Sequence, residues 1–387
     1  MNRLSGFRGL RAAGGRSVRL MFGVTSACAM VLGMAGIGAG PAAADSVIDT
    51  IPVGDFPNEV AVNPFGFRAY VANTDDDTVS VIDTSTNAVV ATVTVGNEPR
   101  GVAVSSDGAR VYVTNRDDDT VSVIDTSTNA VVATVTVENE PRGVAVSPDG
   151  ARVYVTNHDD DTVSVIDTST NTVVATVDVG NGPRGVVVSP DGSRVYVANR
   201  IDDSVSVIDT GTNLVDATVP VGDRPIGVAV TPDGSGVYVT NNAESTVSVI
   251  DTSTNTVVDT VNVGYSPVGV AMNPFGSRVY VTNGDDDTLS VIETRGNTVV
   301  ETIPVGAAPT GVTVNLLGSR VYVTNGGDDT VTVIAIERCF GSLCFDFGSL
   351  VGGGSLVGGG STGSGGTASL VGGGSLAGAG SAGSAGS

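Results

Sequence analysis

The unit Tyr-Val-(Thr/Ala)-Asn begins at Tyr70, Tyr112, Tyr154, Tyr196, Tyr238, Tyr280 and Tyr322, and every interval is 42 residues. Copies at one fixed period without an insertion must be supersecondary units that bury their apolar faces against their neighbours. Each unit reads as four short strands. In one of them, Gly101-Val-Ala-Val104 precedes the turn at Asp107-Gly108, and Arg110-Val-Tyr-Val-Thr-Asn115 precedes Arg-Asp-Asp-Asp-Thr. Val121-Ser-Val-Ile124 then leads into Asp-Thr-Ser-Thr-Asn129, and Val131 to Val137 leads into the loop holding Pro141. Apolar residues alternate with Thr and Ser, β-branched residues dominate, and Gly, Asp and Asn mark the breaks, as in antiparallel strands. Four strands every 42 residues predict an all-β chain, a seven-bladed β-propeller. The alternative, a β-solenoid, has shorter coils and fewer turns per unit.

The chain ends fit a closed ring. Ser46 to Val53 aligns with the fourth strand of a repeat, whereas the last repeat stops after its third strand, Val331-Thr-Val-Ile334. The N-terminal strand is therefore expected to complete the last blade and pair both edges. On these residues the chain resembles the YVTN-type β-propeller repeat family, which includes cell-surface and surface-layer proteins. The resemblance covers about residues 46 to 337 and is specific to the repeat, while propellers host many unrelated activities.

Four segments follow: residues 1–44, the propeller over 45–337, a short loop over 338–347 and a tail over 348–387. The first carries Arg3, Arg8, Arg11, Arg16 and Arg19, then an apolar run from Leu20 to about Ile37, then Pro41-Ala42-Ala43-Ala44. That order reads as a signal peptide cleaved before Asp45, which implies a secreted or cell-surface protein. In an exported chain, Cys339 and Cys344 are read as a small-loop disulfide. The tail holds 17 Gly in 40 residues and repeats Ser-Leu-Val-Gly-Gly-Gly at Ser349, Ser355 and Ser369, a composition expected to be disordered. No apolar run in the mature chain is long enough to cross a membrane.

Composition narrows the function. Lys and Trp are absent, His occurs once, and residues 45–387 hold 14 Arg against 41 carboxylates, a net charge of −27. Such an acidic chain is unsuited to nucleic acid or anionic membranes, and a single His removes the usual general base and most metal-ligand sets. No cofactor is implied.

Strand order puts the loops between strands four and one on the same rim as those between strands two and three. That rim collects 17 carboxylates, including Asp75, Asp76, Asp77, Asp117, Asp118, Asp119, Asp159, Asp160, Asp161, Asp285, Asp286 and Asp287. These are hard oxygen ligands suited to Ca²⁺, or else turn formers whose side chains accept backbone hydrogen bonds. The spaced Asp-x-Asp-x-Asp-Gly pattern of a calcium loop is missing. The same rim receives Arg100, Arg142, Arg184 and Arg224 beside the repeated prolines, a set that could fork onto a carboxylated or sulfated ligand or pair with Glu98 and Glu140. His158 reads as an exposed loop residue.

On the opposite rim, Arg68, Arg110, Arg152, Arg194, Arg278 and Arg320 face Asp83, Asp125, Asp167, Asp209, Asp251 and Glu293 as a structural network. Only Thr313 is expected to bring a reactive group to the channel wall. The reading is a monomeric, non-catalytic binding scaffold for a protein, glycan or cell-envelope ligand. The alternative is a propeller hydrolase or lyase using rim carboxylates, with or without a divalent metal.

Overall fold

The computed structural model describes residues 44–336, 338–340 and 343–345, with side chains for 44–336. The readings made of the signal peptide and of the Gly-rich tail lie outside the described residues. The described chain contains seven four-stranded antiparallel sheets and one two-stranded pair. Blade 1 runs from Pro57 to Thr94, blade 2 from Pro99 to Thr136, blade 3 from Pro141 to Asp178 and blade 4 from Pro183 to Pro220. Blade 5 spans Pro225 to Asn262 and blade 6 Pro267 to Pro304, while blade 7 joins Pro309 to Ala335 with Ser46–Pro52.

The N-terminal strand pairs antiparallel with Thr330–Ala335, from Ser46 opposite Ala335 to Pro52 opposite Thr330. Asp45, just ahead of it, is buried, and Arg278 and the Tyr280 hydroxyl donate to its carboxylate at 3.0 and 3.2 Å. The ring is thus closed by backbone pairing to blade 7 and by a side-chain anchor to blade 6.

Burial follows from the pattern of the second strand. In Arg-Val-Tyr-Val-Thr-Asn every residue after the Arg is buried, because this strand is covered on both faces by neighbouring blades. Each apolar cluster straddles two consecutive blades. Tyr70, Val79 and Val81 of blade 1 pack with Val102, Val111 and Val113 of blade 2, and Ile51 and Tyr322 of blade 7 pack with Val60 and Val71 of blade 1. A single blade has no core of its own, so stability depends on the closed ring.

The polar letters of the motif have separate jobs. The hydroxyl of Thr114 donates to the Arg142 carbonyl of the next blade at 2.7 Å and accepts from Gly101 N–H at 2.8 Å, which staples adjacent inner strands. Asn115 is fully buried, and its Nδ2 donates to Thr120 and Ser122 on the third strand, both at 2.9 Å. A buried amide left without such acceptors would cost about 1–3 kcal/mol.

On the rim of the hairpin turns, Arg68, Arg110 and Arg152 pair with Asp83, Asp125 and Asp167 as the sequence suggests. The rest of that network differs. Arg194 donates to the Thr252 carbonyl and Arg320 to the Thr84 carbonyl, each in the following blade, and Arg278 turns to Asp45 rather than Glu293. Their guanidiniums reach the blade boundary, where carbonyls and Asp45 compete with the in-blade carboxylate. Beyond the ring, Arg338–Phe340 pairs with Leu343–Phe345 with Cys339 directly opposite Cys344, a register compatible with the expected disulfide; the cysteine side chains lie outside the described ones.

Candidate functional site

The acidic loops are ordered by their own carboxylates. The second Asp of a triplet caps the loop entering its own blade: Asp118 accepts from Asn97 N–H at 2.8 Å, and Asp76, Asp160 and Asp286 accept from Asp55, Asn139 and Tyr265 in the same way. The third Asp reaches the following blade, with Asp77, Asp119, Asp161 and Asp287 accepting from Glu98, Glu140, Gly182 and Ala308. These third residues lie at positive φ, between 54° and 57° for those four, a conformation that Asp tolerates better than most side chains. The first residues, Asp75, Asp117, Asp159 and Asp285, are exposed. Two of the three carboxylates are therefore engaged by backbone N–H groups, one of the own blade's entry loop and one of the next blade's, rather than turned toward a shared centre.

Among the described residues, three metal-type donors converge only at Glu140, His158 and Asp159, within 4.8 Å of one another. Both Glu140 oxygens are already engaged, Oε1 by Arg116 at 2.5 Å and Oε2 by Arg142 at 2.8 Å. Two guanidiniums against the same carboxylate repel a dication, so this trio fits a metal poorly.

What surrounds the trio is cationic. The residue after the blade-opening proline is Arg100, Arg142 and Arg184 in blades 2 to 4, against Asn58, Ile226, Val268 and Thr310 elsewhere. The residue after the motif Asn is Arg116, His158 and Arg200 in the same three blades, against Thr74, Asn242, Gly284 and Gly326. Both columns reach the loop rim beside the axis. A chain of ion pairs links Arg100 to Glu98 at 3.0 Å, Glu98 to Arg116 at 2.6 Å, and Arg116 through Glu140 to Arg142. His158 Nδ1 lies 2.9 Å from Asp159 Oδ1 and 3.7 Å from Glu140.

The cations outnumber their partners. Among the described residues the guanidiniums of Arg184 and Arg200 meet no carboxylate, and the Nε atoms of Arg100, Arg116, Arg142, Arg184 and Arg200 are buried without an acceptor, as is His158 Nε2. Burial, then repulsion from Arg142, Arg200 and Arg100, pushes the Arg184 guanidinium down to about 9. Burial also lowers Arg142, against the pull of Glu140. The His158 imidazole moves down through burial and the nearby Arg142 and Arg184, with the Asp159 contact opposing. Glu140 is held at about 2 by Arg116 first and Arg142 next. The result is a cluster of positive charge in an acidic molecule, with buried donors that suit an oxyanion.

The structure therefore brings together Arg100, Arg142 and Arg184 and adds Arg116, Arg200 and His158, none of which the sequence marks as part of an anion site. His158 is not an exposed loop residue; its side chain is only 15% accessible. Arg224 stands apart. It precedes Pro225 where its counterparts follow theirs, so it shares the column of Glu98 and Glu140, and it is exposed, with its backbone N–H on Asp203 at 2.8 Å. Two charged columns coinciding in the same three repeats was the available signal.

One further group departs from the expected channel wall. Six blades have Gly as the third residue of the first strand, because a Cβ there would come within 2.2–2.8 Å of the neighbouring blade's backbone. Blade 1 has Glu59 instead. Burial pushes its carboxyl up to about 7, with only the Val102 backbone N–H acting against it. Because the folded value exceeds the ordinary 4.5, the folded protein binds this proton more readily than the unfolded chain, and stability falls as pH rises from 4.5 to 7. Glu59 is only half-buried, so we discount the full shift and expect Glu59→Gln to add about 1–2 kcal/mol at pH 8. Thermal midpoints between pH 4 and 8 check this, and identical pH profiles for the variant and the parent would refute it.

A family model described as "Lactonase, 7-bladed beta-propeller" matches residues 84–176, and one described as "YNCE-like beta-propeller" matches 149–233 and 188–275. Both cover Tyr-Val-Thr-Asn blades of the closed ring. The chain is a YVTN-type seven-bladed β-propeller. No curated protein matches this propeller. Among solved structures it is similar to Kuenenia stuttgartiensis hydrazine synthase, with a TM-score of 0.67 at 24% identity, over 73% of the propeller chain and 96% of the other. Likeness at that identity shows the fold alone.

Proposed function

We propose that this propeller is an exported, non-catalytic scaffold of the cell surface whose ligand is anionic and docks on the Arg184 cluster of blades 2 to 4. The observation that carries the reading is the Arg184 guanidinium, half-buried among other arginines without a carboxylate. Keeping such a group is unfavourable for folding, and a bound carboxylate or sulfate would supply the missing charge. Export rests on the arginines, apolar run and small residues that precede Asp45.

The test is retention of the protein on a sulfated and on a carboxylated polysaccharide at fixed ionic strength. Arg184→Met and Arg142→Ala are expected to weaken binding at least tenfold, and Arg224→Ala, outside the cluster, to leave it unchanged. Equal binding by all variants overturns the reading.

A second reading is favoured by the lactonase-type match over residues 84–176, which contains Arg100, Arg116, Glu140, Arg142, His158 and Asp159. A neutral His158 held by Asp159 is a general base in reach of guanidiniums that would stabilise an oxyanion. Lactone hydrolysis abolished by His158→Ala would establish that reading over the scaffold.

A further inference from the structure

Six of the seven second strands begin at Arg68, Arg110, Arg152, Arg194, Arg278 and Arg320; blade 5 has Gly236. The register sets these positions opposite the end of the third strand, Arg110 against Asp125, Arg152 against Asp167 and Gly236 against Asp251. The other blades show which acceptors a guanidinium finds there. One is the in-blade carboxylate, as in the pair of Arg110 with Asp125 Oδ2. The others belong to the next blade, where Arg320 donates to the Thr84 carbonyl at 2.5 Å and Asn87 Oδ1 at 3.2 Å.

The boundary of blades 5 and 6 keeps the acceptors and lacks the guanidinium; the Thr294 carbonyl already accepts from Gly296 N–H at 3.0 Å and has its second lone pair left for a further donor. Asp251, Thr294 and Asn297, the counterparts of those groups, line a cleft of about 410 Å³ between blades 5 and 6, with the Tyr238 side chain beside them. Asp251 Oδ1 accepts from Ser253 N–H at 2.8 Å and Thr254 N–H at 3.1 Å, as Asp125 Oδ1 does from Ser127 and Thr128. Asp125 turns its Oδ2 to Arg110, but among the described residues no guanidinium reaches Asp251. The Tyr238 hydroxyl donates to Asn297 Oδ1 at 2.8 Å, which holds the ring in the cleft. The backbone does not require glycine here: Gly236 is not at positive φ, and an added Cβ would meet Thr231 Cγ2 at 3.4 Å and the Ile250 carbonyl at 3.7 Å, ordinary contacts.

We propose that this cleft takes a guanidinium from outside the chain, with Asp251 as counter-ion, the Thr294 carbonyl and Asn297 as further acceptors, and the Tyr238 ring as a wall for the planar cation. Free arginine and an arginine side chain of a protein share this chemistry, and the experiment separates them. Titration of the full chain by NMR or calorimetry with L-arginine amide, with L-lysine amide and with an arginine-containing peptide is the test. Arginine amide is expected to bind in the millimolar range, at least tenfold more tightly than lysine amide, because an ammonium cannot fork onto separate acceptors. A peptide that binds tenfold more tightly than arginine amide identifies a protein source, and one that binds no more tightly identifies a small molecule. Gly236→Arg should place a guanidinium on Asp251 as Arg110 does on Asp125, abolish binding and raise the thermal midpoint, while Gly236→Ala should leave binding intact. Asp251→Asn should also abolish it and serves if Gly236→Arg fails to fold. Equal binding of arginine and lysine amides, or binding unchanged in Gly236→Arg or in Asp251→Asn, overturns the proposal.

Discussion

Replacing Arg184 by Met is expected to stabilise the propeller while removing its anion affinity. The folded protein holds this guanidinium at about 9 where the ordinary value is 12.5. The folded state therefore binds the proton less readily than the unfolded chain, and at every pH below about 9 the charged side chain opposes folding. Substituting a buried, poorly compensated charge by an apolar side chain of similar length commonly stabilises, and we expect about 1–2 kcal/mol here. For a domain of this size that is a rise of about 2–5 °C in midpoint. The backbone role of the residue is retained, since the Thr156 hydroxyl donates to the Arg184 carbonyl at 2.7 Å whatever the side chain. Scanning calorimetry of both proteins, without and with a sulfated oligosaccharide, checks the claim. The anion should raise the parent's midpoint and leave the variant's unmoved. A midpoint below the parent's in Arg184→Met would mean that the arginine is a structural member of the rim.

The largest loss should follow from starting the chain at Pro57. Without Ser46–Pro52, the strand Thr330–Ala335 becomes an open edge, the buried Ile51 is lost from the blade 7 to blade 1 cluster, and Arg278 and Tyr280 lose the Asp45 carboxylate. Ile51 alone contributes about 2 kcal/mol of burial, and removing one partner of a buried ion pair costs about 3–5 kcal/mol. The expected outcome is a midpoint lower by about 10 °C or more, with self-association through the exposed edge. Chromatography and thermal unfolding measure both. An unchanged midpoint would show that the ring does not depend on the N-terminal strand.

These two variants mark different depths of legibility. The strand order, the blade count and the closing strand could be read directly, because a propeller blade is built from local hairpins whose turn residues and alternation are written in adjacent positions. The rim could be read only in part. Asp118 and Asp119 are neighbours of one type, yet one caps its own blade and the other the next, since the loop turns to positive φ between them. Arg224 looks equivalent to Arg184 by nearness to a proline and is not, because a shift of two residues, from after the proline to before it, moves it to the column of Glu98. Glu59 was hidden in a column of glycines, and nothing local says that its carboxyl would be packed about by neighbouring first strands.

By itself the sequence determined the period, the four-stranded unit, the ring and its closure, all consequences of side-chain alternation and turn chemistry within 42 residues. What needed the folded ring was that arginines separated by one or two whole repeats come together, that Glu140 is shared between Arg116 and Arg142, and that Gly236 leaves Asp251 without a guanidinium among the described residues. The reason is that charge and burial are properties of place: the ring sets residues of successive repeats one blade apart, and partial burial there weakens the screening of one guanidinium from the next.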